Sequence, residues 1–193
     1  MALTTLDPVT ALIVVDLQHG LVGSPFIHPI DDIVTRAQNL VAAFRRRGLP
    51  IALVNVDGTA PGRTERPRLV QKLPDGWTDL LAELGRQPDD IVVTKRTWGA
   101  FASTDLEKQL RDRSVTHVVI AGVATGTGVE STARQAYEAG FNVTLAIDAM
   151  TDARLGAHDY SIANVFPRLG ETGATQAIID LLKRTHTYEL ACT

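Results

Sequence analysis

Five short runs rich in valine and isoleucine, Ala11–Val15, Ile51–Val56, Ile91–Thr94, His117–Ala121 and Asn142–Ile147, constrain the fold more than any other feature of the sequence. None alternates apolar with polar residues, so each fits a strand covered on both faces, the pattern of a parallel sheet. Helical patterns lie between them. Asp31–Arg47 spaces Ile33, Ala37, Leu40, Val41 and Phe44 along one face and then meets Gly48 and Pro50 as stop signals. Further helices are expected at Asp79–Leu84, Asp105–Arg111, Val129–Ala139, Ala157–Phe166 and Thr175–Arg184. This alternation predicts a three-layer α/β/α fold around a mainly parallel, doubly wound, Rossmann-like sheet of five to six strands.

With 193 residues, 45% of them apolar, the chain suffices for one sizeable core, so residues 1–193 are expected to form a single domain. A formal net charge of −3 with scattered lysines and arginines leaves no electrostatic footprint for nucleic acid. The expected partner is a small molecule. Met1–Thr10 carry no basic segment leading into an apolar one, and no run approaches the roughly 20 apolar residues of a membrane span, so the expected location is cytoplasmic, without membrane contact. One cysteine, Cys192, excludes an intrachain disulfide and a multi-cysteine metal site, and its place beside the C-terminus makes it a poor nucleophile. His19, His28, His117, His158 and His186 show no two-ligand helical spacing and read as surface or strand-end residues; no metal is expected. Neither dinucleotide nor P-loop glycine signatures occur, and no cofactor is expected.

In open parallel sheets ligands bind beyond the carboxyl ends of the strands. Three polar features stand there: Asp16, Lys95 and the turn Gly122–Gly128. Apolar walls would raise the pKa of Asp16 and a nearby ammonium would lower it, so the carboxyl suits proton exchange with a substrate; the competing reading is a loop cap. Lys95 either pairs with Asp16 or is solvated. Trp98 and Phe101 read as pocket walls or as ordinary core. The backbone N–H groups of the Gly-rich turn suit an oxyanion or carboxylate. Asp57–Gly76, rich in Gly, Pro and Arg, is either a substrate lid or a surface excursion, and Arg63, Arg66 and Arg68 within it suit a carboxylate.

Taken together, Ile13-Val14-Val15-Asp16-Leu17-Gln18, Val93-Thr94-Lys95-Arg96, Gly122-Val123-Ala124-Thr125, Val129-Glu130-Ser131-Thr132-Ala133-Arg134 and Asp148-Ala149-Met150-Thr151-Asp152 resemble the isochorismatase-like, or cysteine hydrolase, superfamily over almost the whole chain. The resemblance implies a catalytic Asp16 and Lys95, a cis peptide at Val123-Ala124, and substrate contacts from Gln18, Trp98, Phe101, Val123, Ala124 and Thr127. It also implies a homodimer or homotetramer.

One position departs from the pattern. Where most of the family reads G-V-x-T-x-x-C-V, the nucleophile's place is taken by Gly128. Thioester chemistry needs a thiolate, which glycine cannot supply, and Thr125, Thr127 and Ser131 would need an activating base. The nicotinamidase-like metal site is likewise unmatched, because Asn55–Pro61 offers Asp57 and no histidine. The isochorismatase branch also carries glycine there, since cleaving an enol ether requires an acid and water rather than a covalent nucleophile. Ala124 and Thr59-Ala60-Pro61-Gly62 differ from that branch, which leaves the substrate open. The expected function is a cysteine-independent hydrolase acting on a small, neutral-to-anionic molecule, with Asp16 as general acid/base, Lys95 as its partner and Gly128 leaving room for substrate or water. The alternative is a catalytically inactive member that binds a metabolite or serves in an assembly.

Overall fold

A computed structural model describes residues 3–65 and 73–190, with the backbone alone for residues 185–190. Six strands form one parallel sheet: β1 (Thr10–Val15), β2 (Ile51–Val56), β3 (Ile91–Lys95), β4 (His117–Val123), β5 (Asn142–Thr151) and β6 (Glu171–Gly173). The helices are α1 (His19–Val22), α2 (Ile30–Arg46), α3 (Leu106–Asp112), α4 (Glu130–Glu138), α5 (Leu155–Tyr160) and α6 (Thr175–Leu190). The strand order β3-β2-β1-β4-β5-β6 is doubly wound, and it reverses direction between β1 and β4.

Successive residues of a strand face opposite sides, and the central strands feed two cores in this way. Leu12, Val14, Leu53, Val119 and Ala121 pack with Ile33, Ala37, Leu40 and Phe44 of α2 and Ile178 of α6. Ala11, Ile13, Val15, Val54, Val118 and Ile120 pack with Leu106 and Leu110 of α3 and Ala133 and Ala136 of α4. The fold is therefore three layers, α/β/α, as the sequence pattern predicts. α2 places Asp31 and Asp32 in its first turn and Arg45 and Arg46 in its last, each charge opposing the helix dipole.

Two local expectations need correction. Asp79–Leu84 forms only a single 3₁₀ turn, Ala82–Leu84, because its backbone pairs elsewhere: the Leu81 N–H donates to the Leu17 carbonyl at 3.1 Å and the His19 N–H to the Asp79 carbonyl at 2.9 Å. The helix expected at Ala157–Phe166 begins at Leu155 and passes into a π-type turn, Ser161–Val165. β6 went unread because its three residues carry no apolar run. Among the described residues no helix is long and apolar enough to cross a membrane.

Candidate active site

The direction change between β1 and β4 opens a crevice at their carboxyl ends, and two of the three sequence-predicted features meet there. Asp16 follows β1 directly. Its backbone is left-handed, φ 57°, a conformation that Asp tolerates better than most residues and that recurs at active sites. The Asp16 N–H still donates to the Val54 carbonyl at 2.8 Å, so the chain turns only after the last sheet bond. The third feature, Lys95, ends β3 and lies across β2 from β1, a span of about 9–10 Å. A long aliphatic stem is what that distance requires.

The Lys95 Nζ donates to Asp16 Oδ2 at 2.8 Å and to the Thr97 carbonyl at 3.2 Å. Lys95 is 2% and Asp16 5% exposed, so the pair is an ion pair withdrawn from water, whose attraction must offset a large desolvation cost. Asp16 Oδ1 is buried without a protein hydrogen-bond partner. Burial pushes the Asp16 carboxyl up to about 6, while the charge and hydrogen bond of Lys95 pull it back. The carboxyl therefore changes protonation near neutrality, as proton exchange demands.

The glycine-rich turn follows β4. Gly122, at φ 116°, lies so close to β1 that a Cβ there would meet the Val15 carbonyl oxygen at 2.0 Å. The peptide Val123-Ala124 is cis, as the resemblance implied. Thr125–Val129 then form one π-type turn before α4. A Cβ on Gly128 would stand 3.1 Å from Asp16 Oδ2, the same oxygen that Lys95 holds. Position 128 thus adjoins the ion pair.

The turn is less open to an anion than its glycines suggest. The Gly126 N–H donates to Asp152 Oδ2 at 2.8 Å, and the Thr127 and Val129 N–H groups donate to the Ala124 carbonyl at 3.1 and 3.2 Å. These three donors are already committed. Asp152 also accepts from the Arg154 N–H at 3.0 Å, while Asp148 accepts from the Thr175 N–H and hydroxyl at the start of α6. The two acids of the D-A-x-x-D segment hold backbone rather than substrate.

Asp16, Lys95, Trp98, Val123, Ala124, Thr127 and Gly128 all line one cavity of about 790 Å³. Gln18 and Phe101 are not among the residues lining it. The Gln18 side chain is consumed by backbone: Oε1 accepts the Val56 N–H at 2.8 Å, and Nε2 donates to the Val56 and Trp77 carbonyls at 3.1 and 3.2 Å. Phe101 packs toward Phe141, ring centroids 6.0 Å apart, in the core beside α3 and α4. Sequence reasoning missed the walls formed by Leu21, Phe26 and Trp77, which carry no motif. Part of the long loop does reach the site, for Asp57, Gly58, Thr59 and Leu73 line it. Arg63 is not in the lining, and Arg66, Arg68 and Cys192 lie outside the described residues.

Two histidines support the turn: His28 is exposed, as the sequence suggests, whereas His158, expected at the surface or a strand end, is buried. His158 of α5 is buried and its Nδ1 is 2.8 Å from the Thr125 hydroxyl, while His28 Nδ1 is 3.0 Å from the Thr151 hydroxyl. The two rings meet edge to face at 4.9 Å. Burial pushes the His158 imidazole below its ordinary value. A Thr125→Val variant keeps the shape but strands the His158 nitrogen, so chemical denaturation should show a loss of about 1–3 kcal/mol; an unchanged midpoint would remove this bond from the turn's support.

Residues 10–177 match the family model for the isochorismatase domain. An uncharacterised isochorismatase family protein of Escherichia coli, YecD, is 41% identical over 182 residues, covering 90% of this chain and 96% of its own. The ureidoacrylate amidohydrolase RutB of Variovorax paradoxus is 31% identical over 170 residues, covering 72% of this chain and 68% of its own. The solved structure of an isochorismatase family protein from Burkholderia thailandensis superposes with a TM-score of 0.89 at 38% identity, covering 93% of this chain and 98% of that one. On sequence and fold together, the chain belongs to the isochorismatase family of hydrolases.

Proposed function

We propose that the chain hydrolyses a small molecule by acid–base chemistry, without a cysteine nucleophile. The observation that carries this reading is the buried Asp16–Lys95 pair, 2.8 Å apart, facing the cavity beside a glycine where a side chain would touch the same carboxylate. Asp16 is the general acid, Lys95 fixes its orientation and sets its proton affinity, and Gly128 leaves room for substrate or water. For an enol ether the steps balance as a hydrolysis. The Asp16 carboxyl gives its proton to the terminal vinyl carbon, water adds to the oxocarbenium carbon and returns a proton to Asp16, and the hemiketal collapses to a carbonyl compound and an alcohol. RutB-type amide hydrolysis is the reaction named for one relative, but its thioester form needs a thiol at position 128. A metabolite-binding or assembly role gives no reason to bury an ion pair at the cavity wall. We further propose that the protein works as one domain in the cytoplasm and as a homodimer or homotetramer.

A hydrolysis screen over enol ethers, amides and lactones, with Asp16→Asn as control, tests the assignment. Turnover by wild type that Asp16→Asn abolishes is the expected result; turnover that survives in the variant would place the chemistry elsewhere. With a substrate in hand, the pH profile tests the pair. If protonated Asp16 is the acid, kcat/KM falls as pH rises through about 6. Lys95 holds that value down, so Lys95→Met should move the fall to higher pH by about one unit or more. A profile that stays in place would disconnect Lys95 from the acid.

A further inference from the structure

We infer that the cavity selects an uncharged ligand with a flat apolar body, and that it discriminates against anions and cations of the same shape. This deepens the hydrolase reading and rests on it for its catalytic meaning. The first observation is charge. Among the described residues three ionisable side chains line the cavity, Asp16, Lys95 and Asp57. Each is already paired: Lys95 with Asp16 at 2.8 Å, and Asp57 with the Arg96 guanidinium through two bonds at 2.9 and 3.0 Å. The Arg96 hydrogen bonds hold the Asp57 carboxyl below its ordinary value, so it stays ionised and paired.

An anion entering this space meets two carboxylates and one ammonium whose charge is spent. A cation meets carboxylates whose charges Lys95 and Arg96 already balance. Either one loses hydration without an equivalent return, whereas an uncharged ligand loses little. The turn adds a second, independent observation. Its Gly126, Thr127 and Val129 N–H groups are bound to Asp152 and to the Ala124 carbonyl, so three of the backbone donors that would solvate a carboxylate are engaged.

The walls supply the shape. Phe26, Trp77 and Trp98 line the cavity with Val56 and Leu73. The Trp77 carbonyl accepts from the Gly20 N–H at 2.9 Å and from Gln18 Nε2, which fixes this residue, while Trp98 is 65% exposed and free to settle on a ligand. Large apolar faces around few polar groups favour flat rings.

Both tryptophans of the chain line this cavity, so intrinsic fluorescence reports its occupancy without knowledge of the substrate. Benzamide, benzoate and benzamidinium share one shape and carry charges of 0, −1 and +1. Titrated at pH 7.5 into the wild-type protein, benzamide should quench at a concentration at least about tenfold below either ion. Equal or tighter binding of benzoate or benzamidinium would overturn the inference, and so would the absence of quenching by all three. Exposed Arg96 gives a second handle: Arg96→Gln frees Asp57, and the preference should swing toward benzamidinium by several-fold, while an unmoved ratio would refute the pairing argument. Since binding alone is read, a protein that takes up benzamide and hydrolyses nothing keeps this inference and sinks only the catalytic one.

Discussion

Asp16→Asn is expected to lower turnover by about a hundredfold or more, the usual scale for losing a general acid, while iodoacetamide leaves the wild-type protein fully active. The amide still accepts the Lys95 hydrogen bond but has no proton to give in place of the carboxyl's. It also leaves the Lys95 ammonium buried without its counter-charge, and breaking such a pair costs about 3–5 kcal/mol. A melt must therefore accompany the assay. Should the single variant unfold, the double variant Asp16→Asn/Lys95→Met removes both charges and keeps the comparison available. Full activity in either folded variant would contradict the assignment of Asp16, and loss of activity on alkylation would return attention to Cys192.

The pair also links stability to pH. The folded-state value of Asp16, about 6, lies above its ordinary value of 3.8, so the folded protein binds the proton more tightly than the unfolded chain. Stability contributed by this group is fully present below pH 3.8 and is lost as pH rises through about 6, so ionised Asp16 is a cost carried at neutral pH. A functional group held in an unfavourable state is what an acid catalyst working near neutrality requires.

The strands were legible because burial on both faces leaves a compositional mark that needs no neighbour to be read. Ala11–Val15 is apolar throughout and has one structural solution, whereas Glu171–Gly173 is a strand only because β5 lies beside it. Asp79–Leu84 failed for the converse reason: a helical pattern yielded to pairing with Leu17 and His19, which no local signal announces. At the site, motif order located Asp16, Lys95 and the turn, since these sit at strand ends. The walls were not legible, because Phe26 and Trp77 face the cavity through tertiary packing. Gln18 shows the limit of a motif: adjacent to the acid in sequence, it spends its amide on Val56 and Trp77 and so shapes the wall without lining it.

Gly128→Cys, which adds a thiol beside Asp16 and Lys95, is expected to lower the native activity by about a hundredfold without creating an amidase. The backbone is already closed around that position. A Cβ would stand 3.0 Å from the Val123 carbonyl oxygen, 3.1 Å from Asp16 Oδ2 and 3.2 Å from Val15 Cγ1, contacts tighter than ordinary packing. Val123 and Val15 belong to the two central strands and cannot give way, so Asp16 must move, and its bond to Lys95 moves with it. The sulfur beyond the Cβ would then occupy space that the proposed chemistry reserves for substrate or water. Gly128→Ala separates the two effects, for it adds the Cβ alone and should reproduce the displacement of Asp16 with a smaller loss of volume. Amide hydrolysis by Gly128→Cys that iodoacetamide abolishes would show the opposite, a site still built around a thiolate, and the acid–base reading of Asp16 and Lys95 would have to give way to a nucleophilic one.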